Sequence, residues 1–300
     1  MASVICGSLA FDTIMSFEGR FAEQILPDQL HILNVSFLVP ALRREYGGCA
    51  GNIAYSLKQL GGSPLPMAAV GNDATDYLVR LQAQGISTEF VRQINGAYTA
   101  QAMIMTDRDN NQITAFHPGA MMQAHVIRIE ARSDIKLGMI SPDGREAMQV
   151  HAEQFKAAGI PFVFDPGQGL PMFDGPELAQ FVELASWVTV NDYEARMLCE
   201  RTGLSCAQLS RRLLGLVVTL GAKGCEVWID GEKTTVPPVK AQAVIDPTGC
   251  GDAFRGALLF GLEQGWSLAR CAALGNRVGA CKIASQGGQN YTLCLAEIGL

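Results

Sequence analysis

The chain has 300 residues, carries a formal net charge of -6, and is 48% hydrophobic with 32 glycines and 13 prolines. That length buries a full core, as one large α/β domain or two smaller ones, and no stretch has the composition of a disordered segment. An acidic chain lacks the basic face that a phosphate backbone demands, which excludes nucleic acid as a partner, and no run approaches the roughly 18 uncharged residues of a membrane span.

Residues 4–6 predict a first strand, followed by the turn Gly7-Ser8 and then Asp12. The apolar start lacks a basic stretch and Asp12 arrives too early for a signal peptide, so a soluble, cytoplasmic protein is expected. Residues 51–60 have helical periodicity through Ile53, Leu57 and Leu60, and Gly61-Gly62 stops it. A strand over 66–70 and a helix over 74–83 follow. Strands over 137–140, 161–164, 187–190 and 216–219 then alternate with helices over 146–157, 177–184, 193–201 and 207–213. That alternation predicts a parallel sheet covered on both faces. Two segments, 17–44 and 90–116, break the rhythm. Structureless loops so long are uncommon inside a compact domain, so they predict a small separate β-sheet covering a cleft, a lid. The nine cysteines form no C-x-x-C pair and are odd in number, which predicts reduced, mostly buried thiols.

The most informative stretch is Asp246-Pro247-Thr248-Gly249-Cys250-Gly251-Asp252, which leads into the almost wholly apolar run Ala253 to Leu262. Glycines immediately before a buried helix let backbone N–H groups converge on an anion, and the helix terminus adds roughly half a positive charge. No G-x-x-x-x-G-K-[ST] loop occurs anywhere. Asp252 stands at the first turn, where an aspartate either caps the helix or faces the anion site. There the dipole predicts a weak base, because it favours the ionised carboxylate.

These residues resemble the C-terminal signature of the ribokinase, or PfkB-type, family of sugar and nucleoside kinases. Three further elements fall in that family's order: Gly47-Gly48-Cys49-Ala50-Gly51-Asn52, Asn191-Asp192-Tyr193-Glu194, and Val218-Thr219-Leu220-Gly221-Ala222-Lys223-Gly224. The resemblance spans about residues 4–289. It implies a three-layer α/β/α sandwich with a mostly parallel central sheet, one kinase domain over 1–300, and a β-sheet lid formed by about 13–46 and 90–118. It implies ATP as phosphoryl donor, with Asp252 as catalytic base and the N–H groups of Gly249, Cys250 and Gly251 as anion hole. Asn191, Thr219, Gly221 and Gly224 would bind ATP, and Asn191 and Glu194 would hold Mg²⁺ through waters. Asp246 and Thr248 resemble a monovalent-cation site completed by carbonyls near residues 285–288, which implies activation by K⁺.

By the same resemblance Asp12 would take two vicinal hydroxyls of a sugar, beside Gly48 and Asn52. The lid runs Gly19 to Pro27, Ser36 to Val39 and Phe116 to Met121 look like those of the bacterial, mycobacterial-type adenosine kinases, which adds Ser8, Ser36, Phe116 and Gln168 to a nucleoside pocket. Phe116, and Phe37 with it, would stack on the base or else fill the lid's own core. Ala102 departs from the pocket phenylalanine expected there. Adenosine is thus the first substrate, with other nucleosides, a free sugar such as ribose or fructose, and a non-catalytic nucleoside-binding role as alternatives. An apolar lid face implies a homodimer paired through the lids. Cys250 at a helix start is either a small residue chosen for fit or a reactive thiol. Arg255, one turn after Asp252, shares its face and forms an ion pair, steadies Asp252 or approaches the nucleoside.

Overall fold

The structure is a computed structural model and describes residues 2–25, 34–296 and 298–300. The first half runs β1 (Ala2–Cys6), β2 (Ala10–Ser16), α1 (Phe21–Gln24), β3 (Ala41–Gly47), α2 (Cys49–Gln59), β4 (Pro64–Val70), α3 (Thr75–Ala83), β5 (Val91–Gln93), β6 (Ala100–Thr106) and β7 (Gln112–His117). The second half continues with β8 (Ile135–Ile140), α4 (Arg145–Ala157), β9 (Phe162–Phe164), α5 (Gly175–Leu184), β10 (Trp187–Asn191), α6 (Asp192–Thr202) and α7 (Cys206–Ser210). It closes with β11 (Gly215–Thr219), the hairpin β12 (Cys225–Ile229) and β13 (Glu232–Val236), then α8 (Cys250–Glu263) and α9 (Leu268–Lys282).

The large sheet has the order β13-β12-β11-β10-β9-β8-β1-β4-β5, parallel from β11 to β5, with the β12–β13 hairpin antiparallel at one edge. Its central parallel strands read as mostly apolar runs because helices cover both faces, whereas the edge strands β5 and β13 are largely polar and exposed. Alternate residues enter two cores: Val4, Cys6, Phe162, Phe164, Leu216 and Val218 face α4–α7, whereas Ile5, Val163 and Val217 face α2, α3, α8 and α9. This is the expected three-layer sandwich. Among the described residues three helices start with reciprocal capping boxes, Asp174/Glu177, Asn191/Glu194 and Ser205/Gln208, which satisfies N–H groups that a helix start leaves open. Helix α8 is buried nearly all round and packs directly on α2. A side chain at Gly256 would come within 2.5 Å of Ser56 Cβ and 2.9 Å of the Ile53 carbonyl.

The lid is a four-stranded sheet of order β3-β2-β6-β7. Its bounds differ from those the sequence predicts. β2 begins at Ala10, so Asp12, expected just before the lid's start near residue 13, lies within a lid strand. Only Gly7 to Leu9 separate β1 from β2, and pairing with β3 and β6 is what shows that the second strand belongs to another sheet. At the other end β5 pairs with β4, so residues 91–93 extend the large sheet. The predicted helix over 207–213 stops at Ser210, because Leu214 N–H donates to the Ser186 carbonyl as the chain enters β11. Of the nine cysteines only Cys6, Cys225 and Cys271 are fully buried and Cys294 is exposed, so the thiols are less hidden than predicted. Leu26, Pro27 and His31, and lid residues 26–33 generally, lie outside the described residues.

Candidate active site

The carboxyl ends of parallel strands are where an open α/β sheet leaves backbone groups and side chains free to meet a ligand. Here they open on a cleft of about 1170 Å³. Ser8 follows β1, Pro142 and Asp143 follow β8, Asp165 follows β9, and Asn191 and Thr219 end β10 and β11; all six line it. That volume exceeds the roughly 300–1,000 Å³ of a pocket for a single small ligand and leaves room for two.

The lid forms the facing wall. Residues paired in register share a face of a sheet, and Glu45, Asp12, Ala102 and Phe116 form one such row across the four strands. Asp12, Ala102 and Phe116 line the cleft, as do Ile104 and Thr114 on the same face. Phe116 is 52% exposed, with its ring open to the cleft side. Ala102 leaves a gap between the Asp12 carboxylate and that ring. Burial first, then the charges of Asp252, Glu45 and Asp246, raise the Asp12 pKa to about 6.

Gly249 caps α8 with φ +77°, a left-handed conformation glycine adopts without strain, and a side chain there would meet Gly288 Cα at 3.0 Å. Gly48 similarly has φ +87°, and a Cβ would come within 2.5 Å of the Ser8 carbonyl. Its close approach is thus to the chain's own backbone. Ser8 Oγ in turn accepts from Cys49 N–H at 3.1 Å, satisfying the start of α2.

Asp252, partly open to the cleft, accepts from Asn52 Nδ2 at 2.8 Å. Gln289 Nε2 donates to Asn52 Oδ1 at 3.1 Å and to the Tyr77 hydroxyl at 2.6 Å, and that hydroxyl donates to the Gly47 carbonyl at 2.7 Å. With its oxygen held by Gln289, Asn52 can only present its amide to Asp252. Burial raises the Asp252 pKa, outweighing the Asn52 hydrogen bond and the charges of Arg255 and Lys282. The weak base predicted from the helix dipole is therefore corrected: lost hydration wins at this site.

Arg255 does not pair with Asp252. Its Nη2 donates to Asp165 Oδ1 at 2.6 Å, its Nε touches the other carboxylate oxygen, and Glu194 Oε2 lies 3.9 Å from Nη2. Arg255 and Asp165 are only 6% and 2% exposed, so this is a buried pair. Burial pulls the Asp165 pKa up against the opposing guanidinium, while Asp165 holds Arg255 cationic. Asn191 Oδ1 accepts from Glu194 N–H and Glu194 Oε2 accepts from Asn191 N–H, both at 2.8 Å, which fixes both side chains on the cleft wall.

Among the residues expected at a site, the cleft is lined by Ser8, Asp12, Gly48, Asn52, Phe116, Gln168, Asn191, Glu194, Thr219, Gly221, Thr248, Gly249, Gly251 and Asp252. Ser36, Gly224, Asp246 and Cys250 are not on its wall. Ser36 is exposed on the lid. Phe37 packs edge-on against Phe17 and Phe21, filling the lid's own core. Gly224 makes a turn at φ +88° against the Val236 carbonyl. Cys250 N–H donates to the Pro247 carbonyl at 3.1 Å, so that amide is engaged within the loop, and burial raises the thiol pKa, which runs against a reactive cysteine. Asp246 bridges two loops: Oδ1 accepts from Thr248 N–H at 2.9 Å and Oδ2 from Gly287 N–H at 2.8 Å. Sequence reasoning did not find Asp165, Asp143, Met121 or Met172, all on the cleft wall. For Asp165 a signal existed, the Asp165-Pro166-Gly167 turn directly after a buried strand.

A carboxylate at the start of a buried helix, glycine amides beside it and a lid over parallel strand ends define a small-molecule phosphotransferase. The pfkB family carbohydrate kinase description matches residues 21–293, and the chain belongs to that family, whose members transfer phosphate to an alcohol. It is 30% identical to a nucleoside kinase of Methanocaldococcus jannaschii, over 96% of this chain and 93% of the relative. Among solved structures it resembles the Burkholderia thailandensis nucleoside kinase in complex with inosine, at 52% identity and a TM-score of 0.88, over 99% of this chain and 95% of that one. The ADP-inosine complex of the same enzyme matches with 54% identity and a TM-score of 0.86, over 99% and 93%. Among the described residues no helix is long and apolar enough to cross a membrane.

Proposed function

We propose that this kinase transfers the γ-phosphoryl group of ATP to the 5′-hydroxyl of a purine nucleoside, accepting adenosine together with other purine nucleosides. The observation that carries this reading is the lid row Asp12–Ala102–Phe116, which faces the cleft opposite Asp252. A carboxylate accepts two vicinal ribose hydroxyls, and an aromatic face two strands away supports a stacked base. Ala102, small where a second ring is expected, leaves the base edge unconstrained and favours breadth over strict adenosine selectivity. The likeness to a nucleoside kinase solved with inosine and with ADP-inosine supports both halves of the cleft.

In the reaction Asp252, oriented by Asn52, positions the attacking hydroxyl and receives its proton. Phosphoryl transfer is largely dissociative, so the proton leaves late and the base acts mainly by orientation. N–H groups of Gly249 and Gly251 face the travelling phosphoryl group. Among described residues on the cleft wall Arg255 is the one lysine or arginine, against Asp12, Asp143, Asp165, Asp192, Glu194 and Asp252, so nucleotide phosphates need a counter-ion on entry. Asn191 and Glu194, oxygen donors fixed by their capping box, fit a Mg²⁺ held through its water shell. Bound there, the ion would neutralise phosphate charge. The outward lid row Leu42–Met15–Met105–Ile113, apolar along its length, supports pairing of two chains through their lids.

The test is ADP release with adenosine, inosine, guanosine, ribose and fructose. Purine nucleosides are expected to exceed both free sugars by about 5- to 150-fold in kcat/KM, since a sugar forfeits base stacking of about 1–3 kcal/mol. Faster turnover of ribose or fructose would return the chain to sugar phosphorylation. A second outcome concerns pH. Asp12 must be ionised to accept both hydroxyls, and its pKa is raised to about 6. The nucleoside KM should therefore be flat above that value and rise about tenfold per unit as pH falls below it. Asp12→Asn should raise KM and remove this limb; an unchanged limb in that variant would assign it to another group.

A further inference from the structure

Lys282, the last residue of α9, is 0% exposed, although a lysine ending a helix ordinarily reaches solvent. Its Nζ donates to the Asp246 carbonyl at 2.7 Å and to the Ser285 carbonyl at 3.0 Å. These oxygens belong to the loop that leads into α8 and to the loop that follows α9. The same two loops are tied by the Asp246 carboxylate, which accepts from Thr248 and Gly287 amides, and by the Ile283 carbonyl, which accepts from Ile245 and Asp246 amides.

The sequence resemblance places a monovalent cation among the carbonyls of these loops. Converging main-chain carbonyls suit potassium, and an ammonium group carries the same charge at nearly the same size. Here that position is filled from inside the chain. A potassium ion bound to the same carbonyls would sit against a like charge at hydrogen-bond distance, so the residues present do not fit it.

We propose that the Lys282 ammonium is a built-in monovalent cation, which locks the loop that ends at Gly249 against the helix start carrying Gly251 and Asp252, and makes the enzyme independent of potassium. The role is one of positioning, since Lys282 touches the loop and not the reacting atoms. The inference rests on the kinase activity of the family and is indifferent to which alcohol is phosphorylated. A lysine in the last turn of a helix ordinarily complements the helix C-terminus, and nothing local in the sequence shows that this side chain turns inward.

The experiment uses the whole chain in a buffer with Tris as sole counter-ion, titrated with potassium chloride against a matched series of tetramethylammonium chloride. For the natural chain, turnover and the thermal midpoint are expected to be the same in both salts. Lys282→Ala should lose about 10- to 100-fold in kcat, the range for removing charged hydrogen bonds. It should recover activity and thermal midpoint on addition of potassium or methylammonium, and Lys282→Met, which fills the space, should not. A potassium-specific rise in turnover or thermal midpoint of the natural chain overturns the proposal, and so does Lys282→Ala with full activity in potassium-free buffer. The thermal midpoint of the natural chain decides the matter if Lys282→Ala does not fold, and it does so even if no tested alcohol is phosphorylated.

Discussion

Asp252→Asn is expected to lower kcat by about 10²–10⁴-fold, the range for removal of a positioned base, and to leave nucleoside affinity nearly unchanged. The substitution is close to isosteric, and the new amide can offer its oxygen to Asn52 Nδ2, now 2.8 Å from the carboxylate. The network through Gln289 and Tyr77 should therefore persist. Stability should move the other way from activity. Burial raises the Asp252 pKa in the folded chain above its unfolded value. A group shifted in this direction binds more protons folded than unfolded, so its ionisation reduces stability as pH rises. Removing the charge should keep or raise the thermal midpoint at neutral and alkaline pH, with the difference vanishing at low pH, where the natural residue is protonated in both states. Single-turnover kinetics, nucleoside titration and thermal melts across pH measure the three parts. Turnover within about tenfold of the natural chain would leave the hydroxyl proton without its assigned acceptor.

Arg255→Met is expected to destabilise the fold by about 3–5 kcal/mol, because it leaves Asp165 as a buried carboxylate without its cation. Methionine fills most of the arginine stem volume, so the loss would report the charge rather than a cavity. Activity should fall as well, since Arg255 is also 3.9 Å from Glu194, whose other contacts fix Asn191 on the cleft wall. The diagnostic measurement is a double-mutant cycle in denaturant. Adding Asp165→Asn to Arg255→Met removes the stranded charge and should recover much of the lost stability. Simple additivity of the two losses would show that the pair is not coupled as its geometry indicates.

The sandwich was legible because its determinants are local. Short β-branched runs, helical periodicity and glycine stops mark β1, α2, β4, β8 and α4 wherever their partners lie, and these strand and helix positions agree with the structure to within a few residues. The start of α8 was legible for the same reason: two glycines ahead of an apolar run announce a buried helix with an open N-terminus, and Gly249 proves to be left-handed there. The site was legible only in its anchors. Ser36 reads like a pocket residue by its neighbours but stays on the lid surface, and Phe37 turns into an aromatic cluster with Phe17 and Phe21.

By itself, then, the sequence determined the alternation of strands and helices, the presence of a lid, and the placing of an aspartate beside glycine amides at a helix start. Each depends on backbone preference or on which face of an element is apolar, and both are encoded within a few consecutive residues. The tertiary structure decided which polar groups face one another: Asn52 with Asp252, 200 residues apart, Asp165 with Arg255, 90 apart, and Lys282 with the Asp246 carbonyl, 36 apart. A buried charge or amide takes whatever partner the packed chain brings within about 3 Å. That choice is made through space, by the crossing of loops at the strand ends, and no periodicity along the chain records it.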